Sequence, residues 1–163
     1  IIFKTNQSVM GVWARLFGEL SRGGLLASAL VAIVGIAAAL LVHRAGEQQL
    51  ALCLAGLTSL LASPISWSHH YVWIIPLTVV LVLHRELPRA LRVFGLFYCI
   101  WVLHAPFKQL PGGDGEELNY SVGHALIDSL GVAMGLAFVV WCGVLGWRAR
   151  SDATALGAVV TRG

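Results

Sequence analysis

The run GLLASALVAIVGIAAALLV, residues 24–42, carries no charged side chain and a single serine. At a helical rise of about 1.5 Å per residue it is long enough to cross the roughly 30 Å hydrocarbon core of a bilayer. The rest of the chain agrees with that reading. Hydrophobic residues make up 58% of the 163, and charged residues 12%, against about 25% in soluble domains. The mean hydropathy is +0.80. A soluble domain of this length buries about 70% of the surface of its unfolded chain, so much of the remaining exterior would be aliphatic and would aggregate. The solvent this composition calls for is a membrane.

Outward from the anchor run, a polar break, HRAGEQQ, leads into LALCLAGLTSLLAS, residues 50–63, which stops at Pro64 and is short for a span. YVWIIPLTVVLVLH, residues 71–84, contains Pro76, which predicts a kink through the loss of a backbone hydrogen bond. RELPRALR precedes a fourth apolar run at residues 93–107, and the turn-rich loop KQLPGGDGEELNYSVGH precedes a fifth at residues 124–147. Val9, Val12, Trp13, Leu16, Phe17 and Leu20 recur at helical spacing, as in an amphipathic helix lying in the membrane interface. The expected fold class is all-α: a polytopic transmembrane bundle of about five spans over residues 24–147. Residues 1–23 form an extracytoplasmic interfacial segment, and residues 148–163 a polar, disordered cytoplasmic tail. The opening IIFKTNQ has neither an initiator methionine nor the order of a signal peptide, so the chain reads as the C-terminal part of a longer protein whose N-terminal half it lacks.

The arginines orient the spans. Arg148 and Arg150 follow the last run, and Arg85, Arg89 and Arg92 lie between the third and fourth, so both segments are expected in the cytoplasm. The loop with Asp114, Glu116 and Glu117 then falls outside, solvated, together with the turn SPISWSHH and the N-terminal segment. Lys4, Arg15 and Arg22 run against the positive-inside tendency there, and a basic interfacial helix suits a lipid phosphate.

Several classes of function are set aside. Cys53, Cys99 and Cys142 sit inside apolar runs without metal-ligand spacing, so neither a zinc site nor a disulfide is expected, and no metal is expected elsewhere. The net charge of +3 comes with no basic run, so nucleic acid is not a partner. A haem would need a histidine pair across helices, and the spacing of His43, His70, His104 and His124 favours none.

The stretch LASPISWSHHYVW, residues 61–73, concentrates the polar chemistry. Histidine can share a proton near neutral pH and donate hydrogen bonds to phosphate oxygens. His69 and His70, if helical, point about 100° apart, so that one faces a cavity while the other orients a neighbour. The bland alternative is an aromatic belt at headgroup depth. Asn6, Gln7 and Ser8 are equally open to two readings, caps of the helix that follows or polar contacts to a ligand. Trp67 either stacks on a sugar face or anchors the interface. Ser63 and Pro64 end a helix.

NQSVMGVWARLFG at residues 6–18, followed at this distance by LASPISWSHHYVW, resembles the C-terminal half of the actinobacterial polyprenol-phosphate-mannose-dependent mannosyltransferases, GT-C-type membrane enzymes of glycosyltransferase family 87. The Ser-Pro-x-Ser-Trp-x-His-His element is the specific part, and beyond Trp73 the likeness is one of hydropathy. The resemblance implies mannose transfer from a polyprenyl phosphate mannose donor to an extracytoplasmic glycolipid or lipoglycan acceptor, at the cell membrane, with no cofactor. It also implies catalytic roles for His70 and His69, and substrate contacts by Lys4, Asn6, Gln7, Ser8, Arg15 and Trp67. Such enzymes carry their acidic base in an early extracytoplasmic loop. Here no carboxylate is expected near either motif except Glu19, which reads as a surface charge. The alternative is a non-catalytic polytopic lipid carrier or transporter subunit, a class in which internal repeats and charges within spans are common. The chain shows no repeat and only Asp128 near the start of a span.

Overall fold

The computed structural model describes residues 2–18, 21–113 and 115–160, with side chains to residue 151. Six α-helices follow in order: α1 (Val9–Phe17), α2 (Arg22–Arg44), α3 (Gln48–Ala62), α4 (Ile74–Leu83), α5 (Arg89–His104) and α6 (Val122–Val160), with short 3-10 segments at Ser68–Trp73, Pro106–Gln109 and Glu116–Asn119. The chain is an all-α membrane helix bundle. Arg22–Arg44, Arg89–Gln109 and Val122–Ser151 are long and apolar enough to span, while Gln48–Ala62 and Ser68–Leu83 are shorter apolar helices.

Each boundary has a local cause. Ser8 caps α1 by accepting from the Gly11 amide, and Gly18, at φ 74°, ends it. Ser21 caps α2 in the same way. α3 stops where Ser63 turns extended ahead of Pro64, whose ring disfavours a helical predecessor. α5 stops at Ala105, at φ 50°, with Pro106 next. Two expectations are corrected. Pro76 lies in the first turn of α4, where its missing N–H has no helical acceptor to lose, so the break comes earlier, at the non-helical Tyr71. The last helix does not stop near Trp147 but continues through Val160, where a disordered tail was expected.

α2 packs against both α3 and α6, and α4 and α5 close the other side. Small residues set these contacts. A Cβ on Gly35 would fall 2.2 Å from Thr58 Oγ1, one on Gly143 2.8 Å from Ala38 Cβ, and one on Gly56 2.2 Å from the Trp73 ring. Close backbone approach is how helices associate in lipid, where no hydrophobic force drives them together. The core is Leu54, Leu57, Leu61, Ile74, Leu77, Leu81, Leu91, Tyr98 and Phe138. Leu26, Ile33, Leu40, Ile75, Leu83, Phe97, Ile100 and Leu103 point outward, an aliphatic exterior matched to lipid tails.

α1 also turns out differently from its sequence pattern. Its buried face is Met10, Gly11, Ala14 and Arg15, while Leu16 and Phe17 of the apolar stripe are exposed. The stripe is thus split: Val9 and Val12 pack against the core and Trp13 is half-buried, while its C-terminal end turns outward and the helix packs on α2 and α6. Leu20 of that stripe lies outside the described residues.

Candidate functional site

The two sequence motifs fold against each other at one end of the bundle. The Gln7 amide donates to Ser66 O at 2.8 Å, within an isolated antiparallel bridge between Asn6 and Trp67. Asn6 Oδ1 accepts from the Ser66 amide at 2.8 Å and from Ser8 Oγ at 2.9 Å. Its Nδ2 donates to Pro64 O at 3.2 Å. The Tyr71 hydroxyl donates to Gln7 O, and the Ser66 hydroxyl to Leu60 O at 2.6 Å. Asn6, Gln7, Ser8 and Ser66 are all buried. Ser8 is the helix cap, and the Asn6 side chain stands in for a backbone partner in the turn that follows α3.

Beneath this knot lies an ion pair that no motif in the sequence indicated. Arg15 Nε pairs with Asp128 Oδ2, both side chains sealed at 3% and 2% exposure. Arg15 also donates through Nη1 to Phe3 O at 2.9 Å and to Asn6 O at 3.0 Å. Gln7 Nε2 donates to Lys4 O at 2.8 Å and reaches Asp128 Oδ1 at 3.4 Å. Burial lowers the pKa of Arg15, and the charge and hydrogen bond of Asp128 oppose that shift. A carboxylate therefore does stand beside the motif, contrary to the sequence reading. The available signal was Asp128 itself, a lone charge in an apolar helix, which by its cost requires a partner. Glu19 lies outside the described residues.

The loop after α5 closes over the same end. Lys4 Nζ donates to Leu110 O. Glu117, expected to be solvated, is 2% exposed, with both carboxylate oxygens 3.3 Å from the Gly113 amide. Glu116 is exposed, and Asp114 lies outside the described residues. The Tyr120 hydroxyl donates to Pro111 O at 2.6 Å. Its pKa is pushed up to about 12 by burial and by the charges of Asp128 and Glu117.

The histidines sit above. His69 and His70 are exposed, on the 3-10 segment anchored by Tyr71, with ring centroids 4.3 Å apart in an edge-on arrangement. The rings therefore adjoin one another, and the expected divergence of adjacent helical side chains does not hold. Trp67 is half-buried and lies 5.8 Å from the Phe3 ring. The structure thus gathers Lys4, Asn6, Gln7, Ser8, Arg15, Trp67, His69 and His70 at one end. Lys4, Trp67 and the histidines are accessible to differing degrees, and Asn6, Gln7, Ser8 and Arg15 are enclosed. The opposite end holds a different pair, His84 Nε2 and Glu47 Oε2 at 2.8 Å.

No family model matches the chain, and no solved structure matches it. Curated proteins do. The chain is 38% identical over 112 residues to the polyprenol-phosphate-mannose-dependent alpha-(1-2)-phosphatidylinositol mannoside mannosyltransferase of Mycobacterium tuberculosis, an alignment covering 66% of this chain and 26% of that protein. It is 31% identical over 156 residues to the protein of the same description from Mycolicibacterium smegmatis, covering 86% of this chain and 34% of that one. A third relative, the polyprenol-phosphate-mannose-dependent alpha-(1-2)-phosphatidylinositol pentamannoside mannosyltransferase of M. tuberculosis, is 38% identical over 95 residues, 55% of this chain and 22% of its own length. The chain spans about a quarter to a third of the length of these relatives.

Proposed function

We propose, from the premise that the curated homologues of this chain are mycobacterial polyprenol-phosphate-mannose-dependent mannosyltransferases, that it forms part of a membrane enzyme moving mannose from polyprenyl phosphate mannose to a glycolipid or lipoglycan hydroxyl. The observation that carries this reading is the knot joining Asn6, Gln7 and Ser8 to the Pro64–Ser66 turn, which presents His69 and His70 at the surface of one bundle end. The arginine distribution supports an extracytoplasmic position for that end. His70, assisted by His69, shares a proton or hydrogen bond with the donor phosphate. Lys4 supplies a cation for the same phosphate, and Trp67 offers a face for the sugar ring. Asn6, Gln7 and Ser8 are enclosed and mainly hold the histidine turn. Arg15, committed to Asp128, contributes by position. The acceptor class follows the relatives' names, in which a phosphatidylinositol mannoside is mannosylated.

The test uses the full-length protein in detergent and in liposomes, with labelled polyprenyl phosphate mannose and a phosphatidylinositol mannoside. Labelled acceptor product is expected. Transbilayer movement of the intact donor without cleavage would replace this reading with that of a lipid carrier.

A further inference from the structure

Trp101, near the end of α5, buries its indole N–H without a hydrogen-bond partner among the described residues. The group faces Gly131 of α6, where a Cβ would lie 3.4 Å from Trp101 Nε1 and 3.2 Å from Gln7 Oε1. Gln7, Ser68, Tyr71, Trp101, Phe107 and Gly131 line the cleft between them, so it borders both sequence motifs. Its volume is about 10 Å³, room for one oxygen-sized group.

The chemistry of the lining is specific. An indole N–H can only donate, and a carboxamide oxygen can only accept. The orientation of the Gln7 amide is fixed from behind, because its Nε2 is directed at Lys4 O and Asp128 Oδ1. Oε1 is thereby the atom turned to Gly131. One donor and one acceptor converging on a glycine complement a group that is both acceptor and donor. A phosphate oxygen does not fit, for it would meet Gln7 Oε1 with no cation among the lining residues. A hydroxyl does.

We infer that the cleft between Trp101, Gln7 and Gly131 is a subsite for a single sugar hydroxyl, with Trp101 donating to its oxygen and the hydroxyl donating to Gln7 Oε1. The inference rests on the mannosyltransferase reading and extends it to α5 and α6, which no motif pointed to. Trp101 becomes a specificity-determining residue, and Gly131 is small because the hydroxyl needs the space. The hydroxyl belongs either to the transferred mannose or to the acceptor, and the subsite chemistry is the same for both.

The experiment measures kcat/KM of the full-length enzyme and of its Trp101→Phe and Gly131→Ala variants. Substrates are the natural pair, then donors deoxygenated at each mannose position in turn, then acceptors deoxygenated at each position of the terminal sugar. Trp101→Phe is expected to lower kcat/KM about 3- to 10-fold, the scale of one neutral hydrogen bond. For one deoxy substrate the wild type shows a similar loss and the variant no further loss. Gly131→Ala shows the same coupling, and a donor or an acceptor position identifies the source. Thermal unfolding of the variants separates this from a merely structural loss, which lowers activity on every substrate alike. If the wild type transfers mannose but every deoxy substrate combines additively with Trp101→Phe, the subsite is overturned and the transferase reading stands. If the wild type transfers no mannose, both fall.

Discussion

Arg15 of α1 and Asp128 of α6 form an ion pair sealed from solvent, with the α6 carboxylate also reached by Gln7 from the motif. Removing one partner leaves a buried charge uncompensated, a loss of about 3–5 kcal/mol. Asp128→Leu and Arg15→Met should each lower the unfolding temperature of the full-length protein in detergent. The double variant Arg15→Met/Asp128→Leu should recover part of that loss. Strict additivity in the unfolding temperatures would show that the pair is not coupled.

The Asn6 side chain ties the N-terminal segment to the turn after α3, residues far apart in the sequence. Asn6→Ala leaves the buried Ser66 amide without its acceptor, at a cost of about 1–3 kcal/mol. Asn6→Asp keeps the acceptor and loses the donation to Pro64 O. Proteolysis near residues 63–70 should therefore speed up strongly in the alanine variant and less in the aspartate. Equal protection in the two variants and the wild type would remove Asn6 from the turn.

His69 and His70 are exposed and receive no packing from the core, so replacing them should leave stability unchanged. His70→Ala should nevertheless lower mannose transfer by roughly 100-fold, the scale of a positioned proton-transfer group. Turnover and unfolding temperature measured on the same preparation decide the point, and full activity in both single variants would return the pair to an interfacial belt.

Topology can be read with single cysteines in a chain lacking Cys53, Cys99 and Cys142, all of them buried. An impermeant thiol reagent applied to intact cells should label cysteine at positions 68 and 113 and spare positions 89 and 151. The reverse pattern would put the histidine end in the cytoplasm.

Much of the fold could be read from local chemistry. The apolar run at residues 24–42 needs no partner to be a span, and Ser63-Pro64 ends a helix by sterics alone. The same is true of the shared end: alternation of the spans placed the N-terminal segment with the histidine turn, and the Gln7–Ser66 hydrogen bond joins them. Pairings between distant residues were less legible. Asp128 and Glu117 are carboxylates whose neighbours alone suggest solvent or a helix end. Their burial depends on α6 and the loop after α5 folding back over residues 4–15. Arg15 illustrates the reverse error. Its place on a basic amphipathic helix suggested a phosphate, yet it lies on the buried face of α1, beside Met10, Gly11 and Ala14, and meets Asp128 of α6 there. The histidine rings were misplaced because a 3-10 segment broken at Tyr71 does not follow α-helical spacing.

The sealed pair has a consequence for biosynthesis. Arg15 leaves the ribosome long before Asp128, by roughly ten seconds at translation rates of ~5–20 residues per second. Until the last helix arrives, the cation has no enclosed counterion, so the amino-terminal stretch must wait at the water boundary while four apolar helices enter the bilayer ahead of it. The histidine end is then the final part of the molecule to close, and a ribosome stalled before α6 leaves a bundle that is inserted and open at that end.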